Sequence, residues 1–207
     1  MRSILCYGDS NTWGYRPPDG GRYRREQRWT GVLQTELGPE YLVIEEGLNG
    51  RTTVWDDPLG ECRNGRAYLP LCLETHHPLD LVLLMLGTND LKLRFHLPVR
   101  DIAAGAGVLV KLVQQSSAGP AGAAPAVLLI APPPLGKLTA AAETFQGGFE
   151  KSLRLAECYR EVAGELGCFF RDAGAVVTTS DRDGIHWEAG EHQQFGRWLA
   201  REIAALG

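Results

Sequence analysis

Ser3-Ile4-Leu5-Cys6-Tyr7-Gly8-Asp9-Ser10-Asn11-Thr12 opens the chain's legible structure. Its first half is a short, continuous apolar run. A run of that length, apolar at consecutive positions, suits a strand whose two faces are both covered. It then breaks at glycine into small polar residues, which suits a strand-to-helix turn. Three further runs read the same way, at residues 41–45, 81–86 and 126–131, and a weaker one follows at 168–171. Between them the spacing predicts helices over 29–37, 69–75, 102–115, 149–166 and 191–206. Alternating strands and helices imply right-handed crossovers and a parallel sheet. The expected fold is therefore α/β, a three-layer α/β/α sandwich with a five-stranded, mostly parallel, flavodoxin-like sheet.

Composition agrees with this and excludes other classes. The 207 residues fit a single domain spanning 1–207, with 44% hydrophobic and 22% charged residues. Net charge is −4 and no basic stripe is present, so nucleic acid is not an expected partner. No apolar run reaches the roughly 20 residues of a membrane helix, and the N-terminus lacks the pattern of a secretory signal. The five cysteines, Cys6, Cys62, Cys72, Cys158 and Cys168, are odd in number and show no CxxC spacing. They read as reduced thiols of a cytoplasmic protein, with a Cys62–Cys72 bridge unsupported. No metal-ligand spacing, phosphate loop or dinucleotide fingerprint is found, and no cofactor is expected.

In doubly wound sheets, sites gather beyond the C-terminal ends of the strands. The polar residues fall there. The first strand leads into Gly8-Asp9-Ser10-Asn11, the second into Asn49-Gly50-Arg51-Thr52-Thr53, the third into Gly87-Thr88-Asn89-Asp90. The last leads, after a loop, to Asp183-Gly184-Ile185-His186-Trp187.

A nucleophilic serine needs a tight turn, a base within reach, and donors for the developing oxyanion. Ser10 has the turn, although a lone Gly-Asp-Ser more often marks an ordinary helix cap. Among the five histidines, His186 stands out because Asp183, three residues earlier, can orient its ring. His76 and His77 suit a helix end before Pro78, and His192 suits a solvated position near the start of the last helix. His96 has nothing nearby to orient it. Gly50 can offer a backbone N–H and Asn89 a side-chain amide to an oxyanion. Asp56-Asp57 before Pro58 reads as a turn that braces the second loop if paired with Arg51 or Arg63. The aromatic residues Trp13, Tyr15 and Trp187 flank these motifs. Together with Asp9 and Asn11, Trp13 and Trp187 are the candidates for contact with substrate, against the alternative that the aromatics pack the core.

These ordered motifs resemble the SGNH hydrolase superfamily, the GDSL-type esterases and lipases, over residues 4–187. The resemblance implies Ser10 as nucleophile, Asp183 and His186 as acid and base, and an oxyanion hole made by the Ser10 and Gly50 N–H groups and the Asn89 amide. A narrower likeness runs through Asp9-Ser10-Asn11-Thr12-Trp13-Gly14-Tyr15, Arg28-Trp29-Thr30-Gly31, Arg51-Thr52-Thr53 and Leu84-Met85-Leu86-Gly87-Thr88-Asn89-Asp90. It is similar to bacterial arylesterases that also act as acyltransferases and perhydrolases. That implies a small-molecule ester of short acyl chain as substrate, transfer to alcohols or peroxide, and a homo-oligomer, an octamer. The chain departs from the common pattern at Asn11, at Asn49-Gly50, in the arm 16–27 and in the loop 136–148. Two other readings are open: a carbohydrate O-acetyl esterase of the same superfamily, and a non-catalytic flavodoxin-like binding module.

Overall fold

The computed structural model describes residues 1–17 and 19–206. Its strands are β1 (Arg2–Gly8), β2 (Tyr41–Gly47), β3 (Leu81–Met85), β4 (Ala126–Ala131) and β5 (Phe169–Asp172). Its helices are α1 (Ser10–Trp13), α2 (Trp29–Leu37), α3 (Gly65–His76), α4 (Val99–Gln114), α5 (Gly148–Ser152), α6 (Leu155–Leu166) and α7 (Ala189–Ala204). The sheet order is β2-β1-β3-β4-β5, and every neighbouring pair is parallel.

Both sheet faces are covered, which is why the strands read as unbroken apolar runs. Along β1, Leu5 and Tyr7 point into a core shared with Leu69 of α3, Ile102 and Val110 of α4, and Tyr159 of α6. Ile4 and Cys6 point the other way, into a core with Trp29 and Leu33 of α2 and Phe195 and Leu199 of α7. The expected three-layer sandwich is thus observed. Among the described residues no helix is long and apolar enough to cross a membrane. All five cysteines are free.

Two helices differ from expectation. The stretch expected as one helix over 149–166 is α5 and α6, broken between Ser152 and Leu155. Ser152 Oγ donates back to the Phe149 carbonyl at 2.6 Å and accepts the Leu135 N–H at 3.0 Å. A side chain that bonds the backbone in this way competes with the helix and ties α5 to the loop after β4. Helix α3 starts earlier than residue 69, because Asn64 caps it by accepting the Arg66 N–H at 3.0 Å.

His192 and Trp187 also lie elsewhere than expected. His192 is not solvated: it is 0% exposed, between Tyr23 and Trp187. Its Nδ1 accepts the Trp29 N–H at 3.4 Å. Burial, then the charges of His186 and Arg28, lower its pKa to about 3. An unfolded chain protonates this histidine near pH 6.5. Below that pH the unfolded state takes up a proton that the folded state refuses. The stability due to neutral His192 is complete above pH 6.5 and drains as pH falls toward 3, by up to about 1.4 kcal/mol per pH unit. His192→Asn keeps an acceptor without a titrating ring. Urea unfolding is expected to show a flatter loss of stability for this variant than for wild type between pH 6.5 and 4.

Candidate active site

The site grows from the end of β1. A side chain at Gly8 would lie 2.1 Å from Thr12 Oγ1 and 2.9 Å from the Met85 carbonyl, so only glycine lets the strand enter α1 this tightly. Asp9 caps α1 by accepting the Asn11 N–H at 3.0 Å. Burial raises the Asp9 pKa to about 6, against the lowering effect of that bond and of nearby His186, Arg51 and Lys92. The turn places Ser10 at the sheet rim.

His186 arrives from the far end of the chain. Gly184, at φ +76°, turns the backbone back on itself. Asp183 Oδ1 then accepts the N–H groups of Ile185 at 2.8 Å and His186 at 2.9 Å. Asp183 Oδ2 accepts from His186 Nδ1 at 2.7 Å. Burial pushes the Asp183 carboxyl up. The bonds from the His186 ring and the two N–H groups outweigh it, so its pKa is lowered. A carboxylate only accepts, so it fixes the ring proton on Nδ1 and leaves Nε2 as an acceptor. Ser10 Oγ lies 2.9 Å from that nitrogen and can donate to it. Tyr15 stacks on the His186 ring, with centroids 4.0 Å apart.

The second and third loops complete the rim. Arg51 is buried; its guanidinium donates to the Gly8 carbonyl at 2.8 Å and to the Glu46 carbonyl. Asp90, raised to about pKa 6 mainly by burial, accepts from the Thr53 N–H at 3.1 Å and from its hydroxyl. Asn89 Nδ2 donates to the Arg51 carbonyl at 3.1 Å, which holds its amide beside the second loop. A pocket of about 250 Å³ opens on Ser10, lined by Tyr15, Asn49, Gly50, Asn89, Lys92, Phe145, Ile185 and His186.

Ser10, His186, Asp183, Gly50 and Asn89 are therefore brought together. The four residues expected to touch substrate are placed differently. Trp187 is 0% exposed and packs on Phe195, because the backbone past His186 turns its side chain into the core. Asn11 is buried; its Nδ2 donates to the Ile185 carbonyl at 3.3 Å and its Oδ1 accepts the Trp187 N–H at 3.1 Å. It clamps the serine turn to the histidine loop instead of facing the pocket. Asp9 is buried beneath α1. Trp13 lies under the Arg22 guanidinium, 4.9 Å from its ring, and is not among the pocket-lining residues. Tyr15, one of the flanking aromatics, does line the pocket. His96 is exposed and lines nothing there.

Asp57 does not pair with Arg51 or Arg63. It faces Lys92 at 3.7 Å and Arg94 at 3.5 Å, because Arg51 is turned inward to the β1 and β2 carbonyls. Asn49 lies in the polar run expected beyond the second strand, but Lys92 and Phe145 were not legible as pocket residues. Nothing in their local spacing marks them, since each reaches the rim through a different loop.

Known proteins match the chain in sequence and fold. A model of the GDSL-like lipase/acylhydrolase family matches residues 6–202. The fold superposes on the carbohydrate acetylesterase Est24 from Sinorhizobium meliloti with a TM-score of 0.97, at 44% identity and covering 100% of both chains. It superposes on the native M. smegmatis aryl esterase with a TM-score of 0.96, also at 44% identity and 100% of both chains. A lipase/acylhydrolase from Enterococcus faecalis shares the fold at a TM-score of 0.72 and 20% identity, over 100% of this chain and 97% of the other. No curated protein sequence matches the chain. The extent of the family match and these identities place the chain in the GDSL-like lipase/acylhydrolase family of SGNH enzymes, whose work here is the hydrolysis of carboxylic esters.

Proposed function

We propose that the enzyme cleaves short-chain aryl and alkyl esters through an acyl-Ser10 intermediate, as one domain over residues 1–207. The observation that carries this is the unbroken chain from Ser10 Oγ to His186 Nε2 at 2.9 Å and from His186 Nδ1 to Asp183 at 2.7 Å. Ser10 Oγ attacks the ester carbonyl while its proton passes to His186 Nε2. Asp183 holds the ring and offsets the imidazolium charge. The carbonyl oxygen becomes an oxyanion, received by the N–H groups of Ser10 and Gly50 and by the Asn89 amide. The Asn89 side-chain nitrogen carries two hydrogens, so it keeps one for the oxyanion while the other binds the Arg51 carbonyl. His186 then protonates the leaving alcohol. Water, or another alcohol or peroxide, enters by the reverse path and frees Ser10.

Asn89→Ala removes one donor whose contribution is concentrated in the transition state. Its kcat on p-nitrophenyl acetate is expected to fall by about 10²–10³, with KM changed far less. Steady-state kinetics on the purified variant check this.

The pocket's size and its Tyr15, Phe145 and Ile185 walls favour a short acyl group over a long chain. A carbohydrate O-acetyl esterase is the second reading, favoured by the 44% identity to Est24 and by Asn49 and Lys92 at the rim. One panel of phenyl acetate, p-nitrophenyl esters of rising length and acetylated xylan, assayed with and without added alcohol, separates these and measures acyl transfer. The free thiols support a reducing, cytoplasmic setting. A homo-oligomer, the octamer that the likeness to bacterial arylesterases implies, is the assembly we propose, and light scattering tests it.

A further inference from the structure

A second cluster of ligating side chains lies on β2 and α3. Glu46 stands near the C-terminal end of β2. Cys72 and His76 are four residues apart on α3, a spacing that places them on one helix face. His76 Nε2 is 2.8 Å from Glu46 Oε1. The ligand atoms of all three lie within 4.8 Å of one another. None of the three lines the Ser10 pocket, and ester hydrolysis uses none of them.

We propose that Glu46, Cys72 and His76 bind a zinc-like divalent cation, with a further coordination position open to solvent. One thiolate, one imidazole and one carboxylate make the mixed sulfur, nitrogen and oxygen set that suits Zn²⁺, and magnesium or calcium would reject it. The side chains of His76 and Glu46 are 26% and 21% exposed, so the ion has a way in and a water has a place. The fold already holds both elements, so binding orders little new chain.

The charges also favour a cation. Arg51 is the positive group facing the cluster, resting over the Tyr7 and Tyr68 rings at 4.1 and 5.4 Å. It opposes a dication, but Glu46 and a Cys72 thiolate together outweigh it. Burial and the Glu46 charge push the free Cys72 thiol up to about 12, so without metal it stays protonated. Binding therefore displaces the thiol proton to solvent. The imidazole frees Nε2 for the metal by carrying its proton on Nδ1. No redox change is involved.

This site was not legible in the sequence: Cys72 and His76 are a pair that matches no metal-ligand motif, and their third partner lies far upstream and meets them only through the fold.

The test is a titration with Zn²⁺ and, separately, Co²⁺ in a Cys62→Ser background, because Cys62 is exposed near the same groove. The expected result is saturable binding of one equivalent, with a thiolate-to-Co²⁺ charge-transfer band in the near ultraviolet. Cys72→Ala should abolish the band, and His76→Gln, at a partly exposed position, should weaken binding at least about tenfold. Circular dichroism confirms that each variant is folded. The proposal is overturned if no saturable binding occurs, if bound Co²⁺ shows no charge-transfer band, or if binding survives both substitutions.

Discussion

Ser10→Ala is expected to lower kcat for p-nitrophenyl acetate by about 10⁶, the size of loss that follows removal of the nucleophile from comparable serine hydrolases. The change deletes one oxygen and leaves the oxyanion donors, so binding should survive while chemistry stops. Ser10 is buried at the tip of a turn held by the Asp9 cap, by Asn11 and by Arg51, none of which bonds its hydroxyl. The hydroxyl faces His186. Thermal unfolding should therefore be nearly unchanged, which separates lost chemistry from lost fold. Retention of wild-type turnover by a folded Ser10→Ala protein would contradict the mechanism.

The second large effect is expected at Asp183. Asp183→Asn should lower kcat by about 10⁴ with a smaller change in KM. An amide in place of the carboxylate can still accept the Ile185 and His186 N–H groups through its oxygen. Its nitrogen would then face His186 Nδ1 as a donor, and the ring proton would be driven to Nε2. There it blocks the nitrogen that must take the Ser10 proton. The charge that steadies the imidazolium is also gone. A pH profile adds a check: the wild-type carboxyl is held below its ordinary pKa, so it should not set the acid limb of kcat near neutrality.

Much of this site was legible because its logic is local. Ser10 sits at a strand end that any parallel sheet exposes, and Asp183 and His186 are joined by one turn through Gly184. The strands were legible because covered faces demand apolar residues at every position, as Ile4 to Tyr7 show. What escaped depends on direction and distance. Trp187 is adjacent to His186 in sequence, yet the backbone sends consecutive side chains opposite ways, one to the rim and one to the core. Asn11 looked like a pocket residue and is a clamp, because its partners lie at Ile185 and Trp187. His192 looked solvated on a polar helix, but α7 turns that face toward α2 and buries it. The break after Ser152 came from a hydroxyl bonded to the loop at Leu135, which periodicity does not report.

In the proposed mechanism Ser10 becomes covalently acylated with His186 as its base. Incubation with a fluorophosphonate, followed by digestion and peptide mass spectrometry, tests it most directly. One adduct per chain is expected, on the peptide at Ser10, appearing as activity disappears and forming far more slowly in His186→Ala. An active enzyme that takes up no label, or that carries it on another residue while Ser10 stays free, would contradict it.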